Sequence, residues 1–363
     1  MEKKRERKRK RAVRRRKERN MAKRSKEGFW DKFSRTGIIL ILLYVMFIIL
    51  GFAVRLLFFS DKKQSSIIPQ NQVVASAEGS SSEKTEANSE NKEATNANIL
   101  ELKTDKQFLA VLEGNTGSIA VNMSTTGQAD AGDLVWNSSD DSIATVDDSG
   151  TVTGVKQGSC DITVAVKGNE AISQSVPVKV RKLEQKDGCT YIDGILIVNK
   201  TYGLPSDFDP GKLDDTAAAE FDKLKADAAA EGLDIYIGSS YRDYNYQVTI
   251  YNNYCNLYGW EMADTFSARP GYSEHQTGLT IDCNTIDDAF GDTPEAPWLA
   301  EHCADYGFII RFPDGKDSIT GYKYEPWHIR YVGIETAKEI NALGLTLEEY
   351  LGVNSEYTGP WEG

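Results

Sequence analysis

The polar and apolar positions of this chain fall into blocks of different period. An unbroken apolar run, "GIILILLYVMFIILGFAV", extends from Gly37 to Val54 and continues past Arg55 into "LLFF". Its length matches the roughly 20 residues that cross a bilayer as a helix, so residues 37–59 are expected to form a transmembrane helix. No small-residue cleavage site follows it, which favours an uncleaved anchor over a removable signal. From 60 to 98 the pattern disappears into Ser, Glu, Asn, Lys and Ala without one aromatic residue. Such a segment buries too little apolar surface to offset its ordering entropy and is expected to be a flexible linker.

From 99 to 183 short β-branched runs alternate with turn residues. In "CDITVAV" Cys160, Ile162, Val164 and Val166 fall on one face, with Asp161 and Thr163 on the other. That period of two, repeated between turn signals, predicts an all-β sandwich. Beyond Cys189 helices and strands mix, which predicts an α+β domain over 189–353, followed by a C-terminal tail at 354–363. Ala218, Phe221, Leu224 and Ala228 recur at helical spacing, with Gly232 as the stop. Leu233, Ile235 and Ile237 are expected on one strand face, delivering Tyr241 and Arg242 to the strand end. A second helix is expected over 243–258, stopped by Gly259, and a third in "APWLAEHCADYG", ending at Gly307 and feeding the strand "FIIRF". Thr346 and Glu349 stand at capping-box spacing.

Charge changes this picture in one respect. Residues 1–35 carry 18 Lys+Arg against 5 Asp+Glu, while the remainder carries 24 against 49. A basic run can be a nucleic-acid arm, but one placed directly against a span sets its orientation. Residues 1–36 are therefore read as a cytoplasmic tail, with everything after Ser60 outside a single-pass membrane anchor and no nucleic-acid partner. A wall directly outside one membrane points to a Gram-positive type of cell. The five cysteines, Cys160, Cys189, Cys255, Cys283 and Cys303, include no CxxC. Buried free thiols are the expectation, with a Cys283–Cys303 bridge as the alternative.

Two of the three histidines lie near carboxylates. His275 precedes the run "LTID", in which Leu279 and Ile281 alternate with Thr280 and Asp282. By itself this segment reads as a polar loop entering a strand more readily than as a metal site. In "YEPWHIRYVG", Glu325 and His328 are three apart, and an extended reading puts Glu325 and Trp327 opposite Tyr324, Pro326 and His328. Taken together, His275, Asp282 and His328 provide the three protein ligands of a catalytic zinc site with an open fourth position. Glu325, outside that set, is free to take a proton from water. Arg242, at a strand end, suits an oxyanion or a carboxylate, or an ordinary salt bridge. Ser273 and Gln247 are uncharged hydrogen-bonders able to read a substrate terminus, or surface residues. His302, mid-helix without a neighbouring ligand pattern, is assigned to packing or surface.

Two resemblances cover these regions. "VWNSSDDSIATVDDSGTVTGVKQG" resembles the bacterial Ig-like group 2 domain, which implies a surface module that grips wall polysaccharide or acts as a spacer. "SSYRDYNYQ", "SARPGYSEHQTGLTIDC", "YGFIIRFP" and "ITGYKYEPWHIRYVG", in this order, resemble the VanY-type D-alanyl-D-alanine carboxypeptidases, marked by S-x-H-x-x-G-x-x-x-D and E-x-W-H. The second resemblance implies one zinc ion on His275, Asp282 and His328, Glu325 as base, and Arg242 polarising the scissile carbonyl. It places Ser273 and Gln247 on the substrate's terminal carboxylate, and it implies peptidoglycan stem peptides as substrate. Relatives with these motifs act as D,D- or as L,D-carboxypeptidases, and a wall-binding protein without catalysis is a third reading. Thr280 stands where many relatives carry Ala.

Overall fold

The computed structural model describes residues 99–126 and 131–361. The basic tail, the apolar run at 37–59 and the linker at 60–98 lie outside these residues. Among the described residues no helix is long and apolar enough to cross a membrane.

The first region is built from nine strands: β1 (Ile99–Thr104), β2 (Leu109–Leu112), β3 (Thr116–Ser118), β4 (Val121–Thr125), β5 (Leu134–Ser138), β6 (Ala144–Val146), β7 (Thr151–Gly154), β8 (Gly158–Val166) and β9 (Asn169–Arg181). They form a four-stranded sheet of order β2-β9-β8-β5, a three-stranded sheet β3-β7-β6 and the pair β1-β4. The predicted alternation holds on β8 as far as Val164, with Cys160, Ile162 and Val164 buried and Asp161 exposed, and breaks at a register shift after it, where Ala165 is buried and Val166 only half-buried. Val176, Val178 and Val180 of β9 meet Cys160 and Ile162 in one hydrocarbon interior, while Val164 packs with Ile99 and Leu102 in a second.

An antiparallel meander follows, β10 (Leu183–Lys186), β11 (Cys189–Ile192) and β12 (Ile195–Ile197). The last sheet, of order β13-β14-β16-β15, comprises β13 (Ile237–Ser239), β14 (Thr280–Cys283), β15 (Phe308–Ile310) and β16 (His328–Tyr331), all antiparallel. The longer helices around it are α1 (Asp215–Ala230), α2 (Tyr244–Tyr258), α3 (Glu295–His302), α4 (Ile334–Leu343) and α5 (Leu347–Leu351). Asp214 caps α1 by accepting from the Thr216 and Ala217 amides, and Thr346 with Glu349 closes the expected capping box on α5.

The structure corrects the sequence reading in three places. On α1 the inward positions are Ala217, Phe221, Leu224 and Ala228, so Ala217 takes the place expected for Ala218. Ile235 is buried but lies before β13, which begins only at Ile237, and Ile237 is 44% exposed. The expected common face of Leu233, Ile235 and Ile237 does not form, because residues 233–236 are not strand; the pairing of β13 with β14 is itself irregular between Ile237 and Ser239. All five cysteines are free, which excludes the Cys283–Cys303 bridge, and Cys255 is only half-buried.

The two regions share an interior at their junction. Leu112 of β2 packs in one cluster with Ile192, Ile197, Ile340 and Leu351. Arg181, at the end of β9, donates from Nε to the Tyr350 carbonyl at 2.6 Å and from its terminal nitrogen to Asp193 at 3.0 Å. Its guanidinium lies 4.0 Å from the Tyr350 ring centroid. The chain after α5 must be glycine, since a Cβ on Gly352 would sit 2.6 Å from the Ala110 carbonyl oxygen at φ +71°. Residues 354–361 also pack against the body: Arg269 donates to the Gly359 carbonyl, and Trp361 meets Tyr251 edge-on.

Candidate metal centre and active site

Strand pairing makes the site. β14 and β16 are adjacent, and their register sets Asp282 directly opposite His328. His275 comes from a single 3-10 turn, Glu274–Thr277, which ends at Gly278 in the left-handed region. A Cβ at Gly278 would approach the Lys212 carbonyl oxygen to 2.4 Å, so this turn can run directly into β14 only with glycine there. His275 thus lies on a helical turn rather than in the loop expected from sequence.

The E-P-W-H segment departs from the extended reading as well. The His328 amide donates to the Glu325 carbonyl at 3.2 Å, closing a tight turn with Pro326 at its second position. The turn swings Glu325 onto the side of His328, so that Glu325 Oε2 lies 3.2 Å from His328 Nδ1. Trp327 instead enters the hydrophobic core beneath the sheet.

His275, Asp282 and His328 are all buried, and their donor atoms lie within 4.8 Å of one another. His275 Nδ1 donates to the Ser240 carbonyl at 2.5 Å, which leaves Nε2 as the free nitrogen. That nitrogen faces Asp282 Oδ2 at 3.2 Å, while Asp282 Oδ1 lies 3.3 Å from His328 Nδ1. His275 Nε2 and Asp282 Oδ1 are buried without a hydrogen-bond partner. Buried polar atoms ordinarily find partners, and two that converge unpaired on one point fit a cation between them. Two imidazoles and one carboxylate are the donor set of a zinc site with room for substrate or water.

Electrostatics follow from this crowding. Burial works against charge on Asp282, yet the two imidazoles hold its carboxylate well below the usual range. Burial and the Arg242 charge push the His275 imidazole down, towards the neutral form a ligand needs. Burial also opposes a proton on His328, but Asp282, Glu274 and Glu325 outweigh it and raise this imidazole well above its ordinary value. The carboxylates have created a place for a cation, filled by a proton on His328 or by a metal. Glu325 is pushed up by burial, partly countered by His328, which suits a group that must accept and return a proton.

These groups open into a cavity of about 290 Å³. Arg242, Gln247, Ser273 and Glu325 line it together with His275, Asp282 and His328, so all seven candidate site residues reach one pocket. Arg242 follows β13, held by its amide to the His275 carbonyl at 3.2 Å, and its Nε has no partner. Gln247 is buried on α2, donating to the Ala268 carbonyl at 2.7 Å, with its Oε1 unpaired. Ser273 is buried at the start of the His275 turn. His302 stays outside, its ring tilted against Trp298 with centroids 4.6 Å apart.

Sequence reading missed the polar support beneath the site. Arg311 donates from Nε to Glu274 Oε1 at 2.8 Å and from its terminal nitrogens to Glu348 at 2.6 and 2.8 Å. Arg330 donates to the same Glu274 oxygen at 2.7 Å and to the Leu196 carbonyl at 2.6 Å. The available signal was an arginine inside each of two apolar strands, "FIIRF" and "HIRYV". An isolated charge there must be paired, since burial of an unpaired one costs several kcal/mol or about that order.

Residues 210–334 match the family model described as D-alanyl-D-alanine carboxypeptidase, VanY, and residues 101–176 match the bacterial Ig-like domain of group 2. YodJ of Bacillus subtilis is 40% identical over 180 residues, covering 43% of this chain and 66% of YodJ. A D-alanyl-D-alanine carboxypeptidase of Enterococcus faecalis is 35% identical over 174 residues, covering 43% of this chain and 65% of that one. The solved LdcB LD-carboxypeptidase is 43% identical, with 48% of this chain and 98% of LdcB covered and a TM-score of 0.45. The chain spans just under two thirds of the length of those two curated relatives. Residues 210–334 thus match the VanY family of D-alanyl-D-alanine carboxypeptidases, with a match to the bacterial Ig-like domain of group 2 ahead of them at 101–176.

Proposed function

We propose that this protein is a zinc metallocarboxypeptidase that hydrolyses the terminal peptide bond of peptidoglycan stem peptides and releases D-alanine. The observation that carries the reading is the convergence of His275, Asp282, His328, Glu325 and Arg242 on one pocket. The match to the VanY family supports the reaction class. Zinc held by His275, Asp282 and His328 would supply Lewis-acid activation at the pocket floor.

The chain's own groups do the rest. Glu325, its carboxyl raised by burial, takes the proton of the attacking water and delivers it to the leaving amine. Arg242 brings an unpaired Nε–H and a fixed positive charge to the oxygen on which negative charge develops. Ser273 and Gln247 line the same pocket; Ser273 can donate to a terminal carboxylate, whereas the unpaired Gln247 Oε1 can only accept, from a substrate N–H.

The arrangement along the chain extends the proposal. Residues 37–59 form a single-pass anchor with the N-terminus in the cytoplasm, and the Ig-like and peptidase regions stand outside, in the wall of a Gram-positive type of cell. The support is the apolar run and its basic flank. The Ig-like region is a candidate holder of wall polysaccharide, on its family match alone.

The decisive experiment incubates the purified exterior part, from residue 99 on, with defined penta- and tetrapeptide stems, with and without chelator, and weighs the products. Loss of one D-alanine from the pentapeptide, abolished by chelator and restored by zinc, is the expected result. Cleavage of the tetrapeptide alone would make the protein an L,D-carboxypeptidase. Unchanged masses with zinc present would overturn catalysis in favour of wall binding.

A further inference from the structure

The turn that supplies His275 also supplies Glu274, and the two side chains serve different halves of the site. Glu274 is 5% exposed, with Oε1 fully engaged by Arg311 at 2.8 Å and Arg330 at 2.7 Å. Its other oxygen, Oε2, has no hydrogen-bond partner. Opposite it, at 3.8 Å, stands His328 Nε2, which is likewise buried and unpaired. The far nitrogen of the same ring, Nδ1, faces Asp282 and Glu325. One ring therefore presents Nδ1 to the metal position and Nε2 to a carboxylate oxygen that has no other partner.

We infer that Glu274 is a positioning residue for the metal centre: its Oε2 accepts the Nε2–H of His328, locking the tautomer in which Nδ1 is the ligand. The separation of 3.8 Å closes with a small rotation of either side chain, and neither atom has a competing partner within the protein. A metal-bound imidazole generally donates its second N–H to a carboxylate or carbonyl, and loss of that partner costs about 10–100-fold in metal affinity. His275 has such a partner in the Ser240 carbonyl; Glu274 gives His328 the equivalent. The two arginines keep Glu274 ionised in spite of burial. They also fix its orientation, because Arg330 lies two residues beyond His328 on β16 and the Arg311 amide donates to the His328 carbonyl at 3.0 Å.

The inference rests on the zinc site proposed above, and its test separates the two. Zinc affinity is measured by chelator competition on the wild-type chain, Glu274→Gln and Glu348→Gln, each with a thermal melt. Glu274→Gln still accepts from the arginines but turns an amide N–H towards His328 Nε2. Glu348→Gln removes a carboxylate from the same Arg311 without touching His328. The expected result is zinc affinity about 10–100-fold weaker in Glu274→Gln and within about threefold of wild type in Glu348→Gln, for comparable losses of melting temperature. Equal weakening in both variants, or none in a folded Glu274→Gln, would overturn the positioning role. A wild-type chain that binds no zinc would instead sink the metal-site reading. If Glu274→Gln does not fold, nitrogen-15 spectra of zinc-loaded wild type decide: the His328 proton belongs on Nε2, and a proton on Nδ1 refutes the inference.

Discussion

Ile162, Val164, Val176, Val178 and Val180 fill the Ig-like region with hydrocarbon, and the only buried charged side chain among its described residues is Arg181, at the junction. The peptidase region buries Glu274, Asp282, Glu325, Glu348, Arg311 and Arg330 beside its own apolar core. Hydrocarbon alone suffices to hold a β-sandwich together, since each fully buried aliphatic side chain contributes about 1.5–3 kcal/mol. Buried ion networks seldom add stability beyond what apolar residues of similar volume would give. Most of them stand around one pocket, with a separate buried pair, Asp264 and Arg269 at 2.8 Å, apart from it, and the cluster at the pocket marks an interior shaped by chemistry as well as by folding.

The largest effect should come where that contrast is sharpest. Glu325→Ala removes a buried carboxyl that no arginine holds, so the fold has little need of it. Turnover of a pentapeptide stem is expected to fall by about 10²–10⁴-fold, with zinc retained and the melting temperature nearly unchanged. A variant that stays fully active, or one that unfolds, would place Glu325 with the structural charges.

Glu348 is the opposite kind of buried acid. It accepts two bonds from Arg311 and one from Asn199 at 3.1 Å, and it lies on α5, whose Tyr350 carbonyl also receives Arg181 from the Ig-like region. Glu348→Ala leaves the Arg311 guanidinium half-paired in the interior, at a cost of about 3–5 kcal/mol. Chemical denaturation read separately from both regions checks this, and loss of the Ig-like seating along with the peptidase is the expected pattern. In the Ig-like core, Ile162→Val should cost only about 0.5–1.5 kcal/mol. Turnover per folded molecule should stay at the wild-type level, because no catalytic group touches that core.

The same contrast explains what was legible in the sequence. Alternation on β8 and the helical spacing of Phe221, Leu224 and Ala228 report directly on hydrocarbon burial, so they forecast the structure to within one position. The site residues were readable because histidine is scarce in this chain and its two site copies stand near acids. Their convergence was not readable from spacing, since it depends on the register of β14 with β16 and on a turn at Pro326 that an extended reading missed. Least visible was the ionic support. Arg311, Arg330 and Glu348 are separated from Glu274 by 37, 56 and 74 positions in the sequence, and only the sheet brings them together.

Thr280 offers the finest probe of the boundary between the two kinds of interior. It lies on β14 two residues before Asp282, wholly buried, and its Oγ1 has no hydrogen-bond partner. A buried unpaired hydroxyl costs about 1–3 kcal/mol, and an apolar group of the same shape relieves it. Thr280→Val keeps the volume and the β-branch, so it should raise stability by about 1 kcal/mol, measured as a higher denaturation midpoint at unchanged slope. Zinc affinity should stay unchanged, because the hydroxyl touches neither ligand nor Glu274. A fall in stability would mean that the hydroxyl has a partner, and a fall in zinc affinity would move Thr280 from the apolar interior into the group that orients the metal.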